Sequence, residues 1–368
     1  MIWLLQLLML TQVPKSPAPK TPPPSPSLAA SRATKARTDG NLDEAVKLYG
    51  QALKLNPKWA EGWFFLGTIH YQQDHPRACV PAMGKFTQLA PQVSNGFAIL
   101  GLCLYQASDY AGALTALTRA ERLGLPLGEA LTDVASYHAA LLYTRDENFE
   151  KALQILNFFS NRNPLEPKII EAAGIAALRM PIFPVDLKVD DRALVYRTGR
   201  AVLTAGNRHV PEAARQLAEI AQDYPTAPNI HFVYGSLLIN ADPEQGIVEL
   251  KKEIAIQPKH LPAHILLGLE YLRRGEADEA VTFGEGAVLI APGNFTGHVV
   301  LGRSLAESGK DLARGVSELE LAAKLEPTSP QVRIALASAY AKAGRRDEAA
   351  TQRAEFQRLK KMLEDLAK

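Results

Sequence analysis

One feature of this chain limits its possible folds more than any other: the sequence repeats. Three stretches make the point: AEGWFFLGTIHYQQDHPRACVPAMGKFTQLAP (residues 60–91), SNGFAILGLCLYQASDYAGALTALTRAERLG (94–124) and LPAHILLGLEYLRRGEADEAVTFGEGAVLIAP (261–292). Each has an apolar helical pattern with glycine at its eighth position, then a turn, then a second helical pattern ending near glycine or proline. Gly67, Gly101, Gly235, Gly268 and Gly302 hold the eighth position, and Ala33, Ala140 and Ala337 hold it in other copies. Turn glycines recur at Gly40, Gly275, Gly309 and Gly344. The punctuating prolines Pro57 and Pro91 lie 34 residues apart, as do Pro258 and Pro292, and Pro327 follows 35 residues later.

This spacing has direct physical consequences. A small residue at the eighth position lets two helices approach closely, while Leu66, Leu100, Leu267, Leu301 and Leu336 fill the space between them. Proline cannot continue the helical hydrogen-bond ladder, so it stops each second helix. The expected fold is all-α: a stack of helix-turn-helix hairpins, roughly ten units between Leu28 and Lys361, each burying its apolar face against the next.

The 34-residue period, the eighth-position glycine and the terminal proline resemble the tetratricopeptide repeat (TPR) family. The resemblance implies a right-handed superhelical solenoid whose first helices line a concave groove that holds a protein or peptide partner. In the family, positions two, five, nine, twelve and thirteen of the first helix face that groove. Carried to this sequence, those positions give Glu61, Phe64, Thr68, Tyr71 and Gln72, then Asn95, Ala98, Leu102, Tyr105 and Gln106. Later copies contribute Tyr137, Leu141 and Arg145, then Phe232, Ser236 and Asn240, then Arg273 and Arg303. Aromatics beside amides suit an extended peptide or an amphipathic helix; the competing reading is that they pack on neighbouring helices. Family members that grip acidic C-terminal peptides use lysine and asparagine at positions five and nine. Here those positions read Phe64/Thr68 and Ala98/Leu102, which does not support that mode.

The rhythm breaks once. The helical pattern 167–180 carries Gly174 at its eighth position, but PIFPVDLKVDD (181–191) stands where a second helix belongs. Two prolines within four residues oppose a continuing helix. The next pattern, 192–205, precedes a stretch that reads as a second helix, with Ala213 and Pro225 in register. Eleven extended residues span up to about 36 Å, more than the roughly 22 Å of a 15-residue helix. The expectation is therefore that 181–191 runs back in place of the missing helix and that 192–205 is a first helix. This divides the chain into an N-terminal array (28–180), an irregular proline-containing insertion (181–191) and a C-terminal array with a capping helix (192–368).

Ahead of the repeats, Ile2 to Leu10 is apolar except for Gln6. That run is too short to span a bilayer, which takes about 20 apolar residues, and it matches the apolar region of a signal peptide. No Lys or Arg precedes it and no small-x-small site follows it. Residues 13–27, VPKSPAPKTPPPSPS, read as an extended proline-rich linker. The expectation is a periplasmic or secreted protein without stable membrane insertion once residues 1–12 are cleaved. The alternative is a cytosolic or membrane-tethered adaptor. Cys79 and Cys103 are the only cysteines; they exclude a disulfide-rich scaffold and a four-thiolate zinc site, and they read either as two buried core residues or as one disulfide in an exported chain.

The chemistry of an enzyme is hard to find. The 41 basic and 39 acidic residues nearly balance, which opposes a dedicated nucleic-acid binder. No phosphate-binding glycine loop, Gly-x-Ser-x-Gly elbow or Cys-x-x-Cys occurs. His260 and His264 are four apart, but Leu261, Pro262 and Ala263 lie between them and the pair straddles a turn, so no metal site is expected. His231, His264 and His298 are spaced by 33 and 34 residues and occupy the fourth position of first helices, where Trp63 and Phe97 stand in earlier copies. They read as flat spacers. The sequence thus predicts a scaffold with no catalytic residues, no cofactor and no metal.

Overall fold

The computed structural model describes residues 28–125, 130–161 and 166–366. The apolar segment 1–12 and the linker 13–27 lie outside the described residues. Among those described, every regular element is helical and the helices pack in successive pairs. The chain divides into two compact units, residues 1–203 and 204–368.

The first unit contains α1 (Leu28–Thr38), α2 (Leu42–Leu55), α3 (Ala60–Gln72), α4 (Pro76–Leu89), α5 (Ser94–Gln106), α6 (Tyr110–Arg122), α7 (Ala130–Arg145), α8 (Phe149–Asn157) and α9 (Pro167–Ala177). Two 3-10 turns follow, Pro184–Asp186 and Val189–Asp191, and then α10 (Arg192–Gly206), within which the first unit ends. The second unit contains α11 (Val210–Asp223), α12 (Ile230–Leu238), α13 (Pro243–Ile256), α14 (Leu261–Arg273), α15 (Ala277–Ile290), α16 (Phe295–Ser308), α17 (Leu312–Leu325), α18 (Pro330–Lys342) and α19 (Arg346–Leu366).

Local chemistry sets these boundaries. Asp109, Asn148, Asp242, Asn294, Asp311 and Ser329 each accept a hydrogen bond from the backbone amide three residues on, capping α6, α8, α13, α16, α17 and α18. The prolines foreseen as stops stand two residues beyond the ends of α2, α4, α11, α13, α15 and α17. Most of the short hairpin turns place one residue in the left-handed region. Glycine supplies it at 40, 275, 309 and 344, whereas Asp74, Ser108 and Glu147 take it themselves. Asn229, at φ 71°, sets the start of α12 at Ile230.

Most of the eighth-position glycines face their own second helices, while Gly268 is met first by Val300 of α16. A Cβ added to Gly302 would stand 2.8 Å from the carbonyl oxygen of Gly315, the fourth residue of α17; for Gly235 the matching distance to the Gly246 carbonyl of α13 is 3.0 Å. This register decides the break at 181–191. A Cβ on Gly174 would stand 1.9 Å from the carbonyl oxygen of Val195, the fourth residue of α10. One on Gly199, the eighth residue of α10, would stand 1.9 Å from the carbonyl oxygen of Ile170, the fourth residue of α9. Eight meets four and four meets eight, as in an antiparallel hairpin. So α10 occupies the second-helix slot against α9, and the expectation that 181–191 fills that slot itself is not met. The insertion is the elongated turn of this hairpin. Two glycines facing backbone are what let α10 take the slot so closely.

Candidate functional site

In the first unit most groove-position residues are buried. Phe64 and Tyr71 belong to the hydrophobic core with Met83, Phe86 and Leu102. Thr68 is buried and donates its hydroxyl to the Phe64 carbonyl at 2.8 Å. Asn95 is buried as well, while Gln72 and Gln106 are half-buried. Cys79 of α4 and Cys103 of α5 form a disulfide inside this core, Cα to Cα 5.9 Å, tying a second helix to the next first helix.

Tyr105 and Arg145 do come together, but around a residue of the same chain, and Tyr137 joins them through His138. Phe183, 5% exposed, inserts from the 181–191 turn with its ring centroid 5.7 Å from that of Tyr105 and 4.9 Å from that of Tyr110. The Arg145 guanidinium lies 4.9 Å from the Phe183 centroid and 5.0 Å from that of Tyr110. His138 packs edge-on against both Tyr105 and Tyr137, and Lys168 lies over Tyr137. Burial pushes the Tyr137 hydroxyl up to about 12 and lowers the basicity of His138, so neither ring is charged near neutrality. The cluster is an aromatic plug with a cation on it, and Phe183 already covers it.

The second unit differs. A groove of about 720 Å³ opens along α16 and α18, with Leu269 of α14 at one end. Its lining from α16 includes Thr296, Val299, Arg303, Ala306 and Glu307; from α18 it includes Gln331, Ile334, Ser338 and Lys342. These are positions two, five, nine, twelve and thirteen of α16, and two, five, nine and thirteen of α18. The positional rule that yielded Arg303 therefore finds the rest of the lining once carried through both helices, which the sequence reading did not do. Phe295 and Ala335 add apolar surface, and Ile334 is 44% exposed. Arg303 pairs with Glu307 at 3.1 Å, and the Lys342 amine donates to the Ala306 carbonyl at 3.0 Å. The groove has an apolar floor and a polar, largely cationic edge.

The remaining foreseen residues of this unit are peripheral. The Phe232 ring sits 4.6 Å from the His260 ring, Ser236 donates to the Val233 carbonyl, Asn240 is exposed, and Arg273 is paired with Glu270. His260 and His264 serve structure. His260 accepts from the Ala263 amide through Nδ1 and donates through Nε2 to the Asn229 side chain, capping α14. Glu253, buried, accepts from the amides of Asn229 and Phe232 and so caps α12 from a neighbouring helix. Among the described residues, no group of three or more His, Cys, Asp or Glu is placed to hold a metal ion.

The repeating register has a match outside the chain: a family model described as TPR repeat fits residues 37–74. The chain contains a tetratricopeptide repeat. That match covers the α1–α2 turn, α2 and α3, and eighth-position glycines and stopping prolines recur along the later helices. No curated protein matches the sequence. Among solved structures, MamA from Desulfovibrio magneticus RS-1 is 20% identical, covering 45% of this chain and 94% of its own, with a TM-score of 0.42. MamA of AMB-1 is 21% identical over 45% of this chain and 98% of its own, TM-score 0.40. The APC/C hetero-tetramer Cut9-Hcn1 is 15% identical over 90% of this chain and 65% of its own, TM-score 0.39. The identification rests on the repeats themselves rather than on these superpositions.

Proposed function

We propose that this TPR chain is an exported, non-enzymatic scaffold that holds a segment of a protein partner in the groove between α16 and α18. The observation that carries the reading is the contrast in burial. Positions five and nine of α3 and α5 are all buried in the core, whereas at those positions of α16 and α18 only Val299 is buried, Arg303 is half-buried, and Ile334 and Ser338 are exposed. A partner suited to it places apolar side chains against Val299, Ile334 and Ala335 and polar or acidic groups near Arg303 and Lys342. Export is supported by the apolar run Ile2 to Leu10 and by the Cys79–Cys103 disulfide, a bond that persists in oxidising compartments.

Affinity capture from the native host tests the groove. The wild type should recover a partner that Ile334→Asp loses and Val185→Asp, on the exposed insertion, retains. Equal recovery with Ile334→Asp would remove the groove as the binding site. N-terminal sequencing of the native protein tests export: a mature end within Gln12 to Ala30 supports it, and a chain still starting at Met1 contradicts it.

A further inference from the structure

The fourth position of the first helices carries a device that recurs through the chain. The side chain there donates to the carbonyl of the proline six residues earlier, the proline that ends the previous second helix. Trp63 does so to Pro57 at 2.9 Å and Arg333 to Pro327 at 2.9 Å. In His231 and His298 the same bond is made by Nε2, to Pro225 at 3.0 Å and Pro292 at 2.8 Å. Their other ring nitrogen faces a carboxylate at the seventh position of the following second helix. His231 Nδ1 lies 2.6 Å from Glu249, and His298 Nδ1 lies 2.6 Å from Glu318.

A carbonyl has no proton to give, so each Nε2 carries a hydrogen. At 2.6 Å a second hydrogen must sit between Nδ1 and the carboxylate, whichever atom holds it. Each site therefore contains one proton more than a neutral imidazole and a carboxylate would. The histidines are buried, so water cannot stand in when that proton leaves. The groups around them do not replace it. Glu249 also accepts from Lys252 and Gln245, and Tyr234 stands near it on α12. Glu318 is approached by Arg314 at 3.6 Å, and Arg314 is bonded in turn to Glu285 of α15.

The repeat between them is a natural control. His264 Nε2 lies 3.1 Å from the Pro258 carbonyl, but its seventh-position partner is Phe283, and its Nδ1 is buried without a partner. A neutral ring satisfies that site. At the last repeat Arg333 meets Gln352 at 3.1 Å, a contact that needs no titrating proton.

We propose that α12 and α16 are proton-locked: each is held to its hairpin mate and to the preceding proline by a buried imidazole–carboxylate pair that requires one extra proton and releases the helix when that proton is lost at rising pH. Since α16 forms one wall of the groove, the lock sets groove geometry too, and it exists whether or not a partner binds there. Because the closed state binds the proton, opening becomes easier as pH rises, by at most about tenfold per pH unit at each pair.

Ring nitrogen NMR on the full chain, with hydrogen exchange corrected for intrinsic rates, tests this between pH 5.5 and 8.5. His231 and His298 should show two proton-bearing nitrogen environments, or one plus a proton shared with the carboxylate, at pH values where His264 shows a single N–H. Opening of α12 and α16 should rise with pH while that of α14 does not. Glu249→Gln and Glu318→Gln supply an amide that donates to a neutral ring, and should flatten the pH dependence of α12 and α16 respectively. A single N–H with an unprotonated Nδ1 on His231 and His298 at pH 6 would overturn the proposal without reference to any variant. So would equal pH dependence of opening in α12, α14 and α16.

Discussion

The two units build the same hairpin and use its positions differently. In the first, positions five and nine of α3 and α5 hold Phe64, Thr68, Ala98 and Leu102, all buried, and a disulfide joins the helices behind them. In the second, the same positions of α16 and α18 hold Val299, buried in the groove floor, half-buried Arg303, and exposed Ile334 and Ser338. Position four also differs: in the first unit Trp63 gives its ring N–H to the preceding proline and Phe97 has none to give, whereas His231, His298 and Arg333 each bond to the seventh residue of the following second helix. The turns lean the same way: besides Gly40, the first unit puts Asp74, Ser108 and Glu147 in the left-handed region, and the second, besides Arg208, uses Gly275, Gly309 and Gly344. A repeat fixes which residues meet, and the choice of side chain decides whether the meeting makes core or surface.

The comparison can be broken most severely at the α9–α10 crossing. Gly174→Ala would drive a Cβ into the Val195 carbonyl, where only backbone movement relieves it, and should cost at least about 3 kcal/mol. Gly268→Ala in the second unit meets chiefly a Val300 methyl group and should cost less, about 1–2 kcal/mol. Urea unfolding of the two variants measures the gap. Next comes the disulfide. Replacing Cys79 and Cys103 with serine should remove about 3 kcal/mol, the order expected for a closed loop of this length, and accelerate hydrogen exchange in α4 and α5 while leaving α16–α18 unchanged.

An acid limb should separate the units further. Burial works against ionising Glu249, but bonds from Lys252 and His231 outweigh it and hold its carboxyl below the usual range. Because the folded value is depressed, this stabilisation is present above the ordinary carboxylate range and vanishes as pH falls through the folded value. Hydrogen exchange in α12–α13 should therefore quicken in acid, and Glu249→Gln should abolish that acid dependence. The smallest effect lies in the turns. Ser108→Gly relieves a left-handed residue and should gain up to about 1 kcal/mol, whereas Gly309→Ala should lose a similar amount, both read from thermal midpoints.

Much of the fold was legible because its signals are local and periodic. Gly101 and Gly302, the prolines at 57, 91, 258 and 292, and the spacer histidines all sit where the period put them. The failures share a cause. Phe183 covers Tyr105 and Arg145 from some 78 and 38 residues away in sequence, and no local pattern reports such a contact. Gly199 stands at the eighth position of α10, but an eighth-position glycine does not say which helix approaches it. Groove and core residues in this architecture occupy the same helical positions, so Phe64 and Ile334 read alike until their neighbours are known. The carboxylates that complete the His231 and His298 sites come from the seventh position of the next helix, a register visible in the sequence only after the pairing is seen.

The central claim is that the groove positions are closed in the first unit and open in the second. Thiol labelling of single-cysteine additions measures it directly, because Cys79 and Cys103 are bonded and buried. Thr68→Cys and Ser338→Cys are near-isosteric replacements at position nine of α3 and α18. Ser338→Cys should label at the rate of a free exposed thiol, and Thr68→Cys only as fast as the helices around it open. Equal labelling at both positions, or faster labelling at residue 68, would contradict the account.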